Sequence, residues 1–434
     1  MGLGILGGGV ATAKWLLRQG AVLTITDMKE KEALAPSLLK IEEFAKETKS
    51  QIKYVLGGHE AQDFLDNEII VINPDVPVDN PFVNAAREAG KQIENELTLF
   101  YKFAKFKTSI GVTGTRGKTT TTNWIGHIIK SAGMNVRILG NDPEKPFLSE
   151  IENCDESTIA VIEVPSFQLE IFDSSGKAPH IAVITNLYQD HLSRHKTMEG
   201  YALAKANIFK NQTENDFLVL NKENDWTDFF LKQNPKAKVV FSSEVDLPGL
   251  NTDVFISKFG EHNLKNFLAA AAACLSVGVT REQIIAAIDS LPQIKWREEL
   301  VYDKDGLKIY NDTASTSPEA FISAAKRFKS DSTFFIVGGT DKGLDFKGWA
   351  EFVKSNLDQG HMIFLSGSAT EKMKGGLAWD KINEFDTLRD CFDFALERMQ
   401  NKGTLVFSPG SKSFEKFKNE FDRGEKFNDI VNTI

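Results

Sequence analysis

The chain has 434 residues and a formal net charge of −9, and no block of basic residues in it could follow a phosphate backbone, so we do not expect nucleic acid as a partner. No apolar run approaches the ~20 residues of a membrane span, and the N-terminus lacks the basic and apolar regions of a secretory signal. The 3 cysteines are widely separated, as expected of reduced thiols in a cytoplasmic protein.

The chain opens on a glycine turn, Gly2–Gly7, that has the pattern Gly-x-Gly-x-x-Gly but no strand before it. A predicted helix from Val10 and a predicted strand at 21–26 follow, and the strand ends beside Asp27. An acidic residue at this distance is typical of a dinucleotide site. Taken alone, the segment fits an NAD-dependent dehydrogenase and a lobe for another nucleotide equally well. We expect the missing strand to mean that the start is truncated or assigned late.

Short β-rich segments alternate with helical ones along the whole chain, which is the pattern of an α/β protein with mostly parallel sheets. The pattern restarts after a linker at 103–107 and again after a turn at 290–293. The sequence therefore predicts three α/β domains. They are a Rossmann-like domain at 1–104, a central phosphate-loop domain at 105–292 and a Rossmann-like domain at 293–434.

The most informative stretch is Gly111–Thr120, which reads Gly-Val-Thr-Gly-Thr-Arg-Gly-Lys-Thr-Thr. It lies between a predicted strand and a predicted helix, and this order of elements is the one that wraps nucleotide phosphates. Lys118 supplies a charge for the phosphates, and the Thr119 hydroxyl suits a magnesium shell. The usual pattern has a glycine where Val112 stands. We predict that ATP or GTP binds to Gly114, Thr115, Gly117, Lys118, Thr119 and Thr120.

Two predicted strands of the central domain end on residues suited to chemistry. Glu163 ends one of them, where a carboxylate can reach a metal beside the phosphate loop, although an exposed strand-end glutamate has the same pattern. Asp190 and His191 follow the next strand and fit a metal site, a base or a helix cap. We expect Arg194 and His195 to be surface residues.

Two later positions stay ambiguous on their own. Lys205 lies in a predicted helix and fits a solvated helical lysine. Asn263, at the start of an alanine-rich predicted helix, fits a simple helix cap.

In series, these motifs resemble the Mur ligases, the ATP-dependent amide-forming enzymes of peptidoglycan synthesis. The ordered motifs are Gly-Thr-x-Gly-Lys-Thr-Thr, Glu-x-x-Ser-Phe-Gln-Leu, Asp-His-Leu-x-Arg-His, Ala-Lys-x-x-Ile and Gly-x-His-Asn-x-x-Asn. Gly338–Phe346 and Ser408–Phe417 continue the resemblance, which covers essentially the whole chain. The motif Glu-x-x-Ser-Phe-Gln-Leu and the terminal run that begins at Ser408 favour the members of the family that add D-glutamate.

The resemblance implies ATP-dependent addition of D-glutamate to UDP-N-acetylmuramoyl-L-alanine through an acyl phosphate. It implies that the N-terminal lobe binds the UDP-sugar rather than NAD, and that the catalytic residues are Lys118, Glu163, His191 and Lys205. Two Mg²⁺ ions are then expected, with Lys205 carrying a carbamate derived from CO₂. The implied contacts are Gly4, Ile5, Leu6, Gly7, Thr26, Asp27 and Asn141 for the UDP-sugar; Asn263, Asn266, Arg297 and Asp312 for ATP; and Thr119, Glu163, His191 and Lys205 for the metal.

For the acceptor amino acid the resemblance implies Thr316, Lys342, Ser413 and Phe421. The sequence departs from the family where Ala314 replaces a lysine, Trp296 replaces a histidine and Glu420 replaces an aromatic residue. Because of Ala314, we expect heavy dependence on Lys342. L-glutamate or another acceptor stays open.

Two other functions remain as alternatives to the D-glutamate ligase: a folylpolyglutamate synthase-like ligase and a degenerate nucleotide-binding scaffold. The first would lack a UDP-binding lobe, and the second predicts loss of catalytic residues that are present here. We expect a cytoplasmic monomer whose partners are small molecules, with no membrane association.

Overall fold

The computed structural model describes residues 1–5, 7–140 and 146–434, which form two compact units. The first unit comprises Met1–Leu250 and Lys265–Leu291, and the second comprises Asn251–Leu264 and Pro292–Ile434. Leu6 and Asn141, predicted to bind the UDP-sugar, lie outside the described residues. Among the described helices, none is long and apolar enough to span a membrane. The α/β prediction is confirmed, and the three domain boundaries stay predictions.

The N-terminal part of the first unit contains two short parallel strand pairs, β1 with β2 and β3 with β4. Residues 1 and 2 lie between the pairs, because the Gly2 N–H donates to Thr26 O and Met1 O accepts the Asn73 N–H. Helices pack on both pairs. The bounds are β1 Leu23–Asp27, β2 Ile52–Leu56, β3 Ile69–Val71 and β4 Gln92–Glu94, with α1 Gly8–Arg18, α2 Lys31–Thr48, α3 Ala61–Asp66, α4 Pro81–Glu88 and α5 Glu96–Phe103.

The rest of the first unit is built on a parallel six-stranded sheet in the order β10-β9-β8-β5-β7-β6. Its central strands are buried runs of Ile, Val and Ala, as expected for a sheet covered by helices on both faces. The strands are β5 Thr108–Thr113, β6 Val136–Leu139, β7 Ile159–Glu163, β8 Ile181–Ile184, β9 Phe217–Leu220 and β10 Lys238–Phe241. In chain order, the next helices are α6 Lys118–Ser131, α7 Ser166–Leu169, α8 Leu192–His195, α9 Met198–Ala206, α10 Thr227–Lys232, α11 Thr252–Phe259, α12 Glu261–Ser276 and α13 Arg281–Ala287. Of these, α11 and the first turn of α12 belong to the second unit.

The second unit contains α11, the first turn of α12 and a second six-stranded sheet in the order β11-β12-β16-β13-β14-β15. This sheet is parallel except for the antiparallel β11–β12 hairpin, and apolar clusters cover both of its faces. Its strands are β11 Glu299–Lys304, β12 Leu307–Asn311, β13 Thr333–Val337, β14 Met362–Leu365, β15 Asn383–Phe385 and β16 Gly403–Phe407. Its remaining helices are α14 Pro318–Phe328, α15 Lys347–Asn356, α16 Ser368–Leu377, α17 Leu388–Met399 and α18 Glu420–Val431.

Candidate active site

The predicted phosphate loop joins the central strand β5 to the start of α6, which confirms the strand–loop–helix order. Two of its glycines are required by close approach. Gly114 has φ +149°, and a Cβ there would lie 2.0 Å from Thr185 Oγ1. A Cβ on Gly117, at φ +78°, would lie 2.1 Å from Asn266 Oδ1. Any larger residue at either position would therefore push the loop away from its supports.

The segment after β8 holds the phosphate loop in place, a role that the sequence analysis missed. Asn186 accepts the Thr115 N–H through its backbone oxygen at 3.0 Å and the Arg116 N–H through its side-chain oxygen at 3.0 Å. Thr185 Oγ1 donates to Arg116 O at 2.6 Å, and the Tyr188 N–H donates to Thr115 Oγ1 at 3.0 Å. The loop is thus shaped by its own neighbours before a ligand binds. An Asn that directly follows a buried strand is the one signal that could have indicated this role.

Lys118, the first residue of α6, folds back over the loop. Its ammonium donates to Gly114 O at 3.1 Å and to Thr115 O at 3.0 Å. The N-terminal amide groups of a helix and a lysine at the same place form a site suited to an anionic phosphate. The position of Lys118 is therefore compatible with the predicted phosphate contact.

Lys205 is buried in α9, with an exposed fraction of 1%, so the alternative of a solvated helical lysine is wrong. Its Nζ donates to Gly114 O at 2.8 Å, lies 3.4 Å from Thr113 Oγ1 and stands 4.6 Å from the centre of the Tyr201 ring. Burial, and then the nearby Lys118 charge, lower its pKa well below the ordinary value. The amine is thus held against the phosphate loop in an environment that favours its neutral form.

Glu163 and His191 lie at the carboxyl ends of β7 and β8, the strands that flank β5. Glu163 is buried, so the alternative of an exposed strand-end glutamate is wrong. The backbone of Gly140 packs closely against it, since a Cβ on Gly140 would lie 2.5 Å from the Glu163 Cβ. His191 has φ +53°, and its ring packs edge-on against Tyr201 at 6.0 Å. Within the described parts of the chain, no three His, Cys, Asp or Glu side chains form a metal cluster. The metal assignment stays a prediction.

The His195 side chain is buried, so the prediction of a surface residue is wrong for His195, whereas Arg194 is partly buried. The His195 side chain is 3% exposed, because its ring stacks on Tyr201 at 5.0 Å and bonds to Ser166 Oγ at 2.9 Å. Burial lowers the pKa of His195 to about 4, with smaller contributions from neighbouring cations. Arg194 pairs with Glu170 and also donates to the backbone oxygens of residues 75 and 76. His195 therefore supports the Tyr201 ring, and through it Lys205.

The N-terminal glycine turn is stabilised by Asp27. Its carboxylate accepts the Gly4 N–H at 2.9 Å and the Lys29 N–H at 2.8 Å, and the residue is buried. Thr26 Oγ1 bonds to Gly58 O at 3.1 Å and to His59 Nδ1 at 2.6 Å. Ile5 is 57% exposed. The assignment of these residues to a UDP-sugar stays a prediction.

The residues predicted to contact ATP fall in both units. Asn266 belongs to the first unit, where it lies against Gly117. Asn263, Arg297 and Asp312 belong to the second. Asp312 is buried, accepts the Glu298 N–H at 3.1 Å and accepts Ser408 Oγ–H at 2.7 Å. Burial, and then the Glu298 charge, raise its pKa to about 8.

Two of the predicted acceptor residues, Thr316 and Ser413, lie on loops of the second unit that are both bonded to Arg423, whereas Lys342 lies on another loop and Phe421 lies in α18. The Arg423 guanidinium is fully buried and donates to Thr313 O, Thr313 Oγ1, Ser411 O and Lys412 O at 2.8–3.2 Å. Burial lowers its pKa to about 9. The anchor fixes the loop at 311–317 to the loop at 411–413.

Each acceptor residue has a distinct environment. Lys342 is exposed, with Nζ 3.9 Å from the centre of the Phe414 ring. Ser413 is buried, and Phe421 packs on Trp296 at 4.8 Å. Thr316 Oγ1 accepts from Lys412 Nζ at 3.4 Å. The sequence analysis did not identify Lys412 as a candidate site residue.

Comparisons with known proteins agree along the whole chain. Residues 112–247 match the Mur ligase middle domain, and residues 1–95 match the Mur ligase MurD-like N-terminal domain. UDP-N-acetylmuramoylalanine--D-glutamate ligase of Roseiflexus sp. (strain RS-1) is 34% identical, with 100% of this chain and 98% of that protein covered. The enzyme of the same name from Borreliella afzelii (strain PKo) is also 34% identical, over 100% and 97%. In fold, the chain is similar to UDP-N-acetylmuramate-alanine ligase MurC from Thermotoga maritima, with TM-score 0.58, 18% identity and coverage of 100% and 98%.

Proposed function

This chain belongs to the Mur ligase family and to its MurD-like branch, and we propose that it adds D-glutamate to UDP-N-acetylmuramoyl-L-alanine in peptidoglycan precursor synthesis. The family assignment supports ATP as the energy source. The structural observation that carries the proposal is the buried Lys205 amine, 2.8 Å from the Gly114 carbonyl of the phosphate loop. A lysine in that place serves phosphate chemistry, since a solvated role would leave it at the surface.

The reaction divides a difficult condensation into two steps. The substrate carboxylate attacks the γ-phosphorus of ATP, which gives an acyl phosphate and releases ADP. The amine of glutamate then attacks the acyl carbon, forms the amide bond, and inorganic phosphate leaves. Lys118 and the loop N–H groups offset charge on the transferred phosphoryl group, by exchanging their internal partners for phosphate oxygens.

We propose that Lys205 carries a carbamate, because a protonated lysine cannot bind a cation whereas carbamate oxygens can. The depressed pKa of Lys205 supports this, since only the neutral amine adds CO₂. Thr119, Glu163, His191 and the modified Lys205 would hold two Mg²⁺ ions together with ATP oxygens. This donor set suits magnesium, because most of its members are oxygens. Bound Mg²⁺ would supply positive charge beside the phosphates.

The remaining site assignments follow the family resemblance. The N-terminal lobe, with Gly4, Gly7, Thr26 and Asp27, would bind the UDP-sugar, and the loops around Ser413 would bind glutamate. We propose three domains at 1–104, 105–292 and 293–434 and a cytoplasmic monomer. A folylpolyglutamate synthase-like ligase is the weaker alternative, because residues 1–95 match a MurD-like N-terminal domain.

One incubation tests the proposed function. The purified chain is mixed with UDP-N-acetylmuramoyl-L-alanine, ATP, Mg²⁺ and either D- or L-glutamate, and ADP and the dipeptide product are measured. We expect ADP and product in equal amounts with D-glutamate only. Product with L-glutamate alone would contradict the acceptor assignment, and no product with either would contradict the ligase assignment. A reduced folate in place of the UDP-sugar, with L-glutamate, tests the alternative.

A further inference from the structure

Two buried hydroxyls on the acceptor loops have no partner. Ser315 and Ser413 are each 2% exposed, and neither Oγ has a hydrogen-bond partner among the described residues. Buried polar groups are nearly always hydrogen-bonded, because leaving one unpaired costs free energy. Both lie on the loops that Arg423 joins. The pair therefore marks a place where a polar ligand would complete the bonding.

Lys412 directly precedes Ser413, and its backbone is held by hydrogen bonds. Its N–H donates to Thr340 O at 3.1 Å, while its carbonyl accepts the Thr340 N–H at 2.9 Å and Arg423 Nη1 at 3.1 Å. Its half-buried side chain reaches across to the other loop, where Nζ lies 3.4 Å from Thr316 Oγ1. Over the described ranges, Lys412 has no carboxylate partner. The ammonium is thus placed beside Thr316 with its charge uncompensated.

Two carboxylates on neighbouring segments, Glu415 and Asp341, are engaged elsewhere. Glu415 accepts hydrogen bonds from the Ser368 N–H and hydroxyl, and Asp341 pairs with Lys372 at 2.6 Å. Lys342 adds a second cation, held over the Phe414 ring rather than by an acid. Two cations and two unpaired hydroxyls make a local surplus of positive charge and hydrogen-bond capacity. This combination suits a small ligand with two carboxylates.

We propose that Lys412 binds a carboxylate of the incoming amino acid and so supplies the cation that Ala314 cannot. Ala314 and Thr316 lie on one loop, and the Lys412 ammonium reaches that loop from the opposite side. In this chain the proposed cation is therefore on the loop at 411–413, whereas the family lysine that Ala314 replaces is on the loop at 311–317. Charge-assisted contacts to carboxylates are the strong class of hydrogen bond, so the acceptor affinity depends on it. This inference rests on the proposed function and names a further specificity residue for it.

Steady-state kinetics of four proteins tests this assignment: the wild type, Lys412→Met, the double variant Lys412→Met/Ala314→Lys, and Lys308→Met as a control. Lys308 is a half-exposed lysine that lies 3.7 Å from Asp303. Lys412→Met should raise the KM for D-glutamate by about thirtyfold, as expected for loss of a charge-assisted contact, with the KM for ATP within about twofold of wild type. The double variant should recover most of the loss, and Lys308→Met should behave as wild type. A melting temperature close to that of wild type shows that each variant is folded.

The outcomes separate this inference from the proposed function. A wild type that makes no product with glutamate contradicts the function itself. With an active wild type, an unchanged KM for glutamate in Lys412→Met overturns the inference. So does a raised KM that Ala314→Lys leaves unrescued, because a general loss of loop structure would give that result.

Discussion

The polar groups of the phosphate loop have hydrogen-bond partners within the protein, whereas two buried hydroxyls on the acceptor loops, those of Ser315 and Ser413, have none among the described residues. Thr115 and Arg116 are held by Asn186, and both Lys118 and Lys205 donate to loop carbonyls. On the acceptor loops, Ser413 lacks a partner within the described structure. A nucleotide therefore exchanges existing bonds for new ones, while glutamate would add bonds that are missing. The first arrangement favours preorganised chemistry, and the second favours selection of the ligand.

The largest expected effect is that of Lys118→Ala, which removes a charge from the preorganised loop. We expect kcat/KM to fall by at least about a thousandfold, because the proposed contact of Lys118 with the ATP phosphates would stabilise phosphoryl transfer. ADP release is the measurement, and Lys130→Ala, an exposed lysine in the last turn of the same helix, is the control. Phosphate release at the wild-type rate would show that the loop has another role.

Lys205→Ala should lower kcat by roughly a hundredfold or more, since it removes the proposed carbamate and its charge. Millimolar acetate or formate should restore part of the activity by supplying carboxylate oxygens. Lys210→Ala is the matched control, because Lys210 is half-exposed and pairs with Asp173. Full activity of Lys205→Ala in CO₂-free buffer would reduce Lys205 to a packing residue.

Lys342→Met tests the acceptor side of the comparison. We expect the KM for glutamate to rise about tenfold with little change in the KM for ATP, because Lys412 retains a second cation at the site. The sequence analysis, which did not include Lys412, predicted a larger dependence of glutamate binding on Lys342. The exposed Lys347 supplies the control substitution. An unchanged KM for glutamate would remove Lys342 from the acceptor site.

The pH dependence of stability tests the same comparison, and the sign of the effect should differ between the two regions. The raised pKa of Asp312, about 8, means that the folded state keeps a proton that the unfolded chain loses near pH 4, so stability falls as the pH rises between those values. The lowered pKa of Lys205 has the opposite sign, because the unfolded chain holds the proton up to the ordinary lysine pKa and stability rises with pH.

Urea unfolding between pH 5 and pH 8 measures both effects. Asp312→Asn mimics the protonated acid and has no proton to lose on unfolding, so its free energy of unfolding relative to wild type should rise by up to about 1.4 kcal/mol for each pH unit between pH 5 and pH 8. Lys205→Met, in CO₂-free buffer, should lose stability relative to wild type as the pH rises. Parallel curves for either variant would contradict the corresponding pKa direction.

The sequence predicted the contiguous features well and the assembled ones poorly. The phosphate loop and the α/β order follow from local glycine placement and alternation, which a single stretch of sequence contains. The stacking of His195 on Tyr201 and the pairing of Arg194 with Glu170 could not be predicted from the sequence, because the partners belong to other elements of the fold. Lys205 was ambiguous for the same reason, although its neighbours Ala204 and Ala206 are apolar. Lys412 needed the position of a loop almost a hundred residues away.

Arg423 has a consequence for how this site can change. Because its guanidinium bonds backbone oxygens on both loops and, among their side chains, the Thr313 hydroxyl, the course of the loops does not depend on the side chains at 314 and 412. A lysine could then be lost from one loop and gained on the other in separate small steps, with the carbonyl framework unaltered. Arg423→Lys would loosen both loops, since one ammonium cannot bond all of those oxygens at once, and the change of lysine position would then also change the loop backbone. Because Arg423 holds the backbone, a lysine can be lost at position 314 and gained at position 412 without a change in the loops. The amino-acid preference of the site could therefore change while the loops keep their shape.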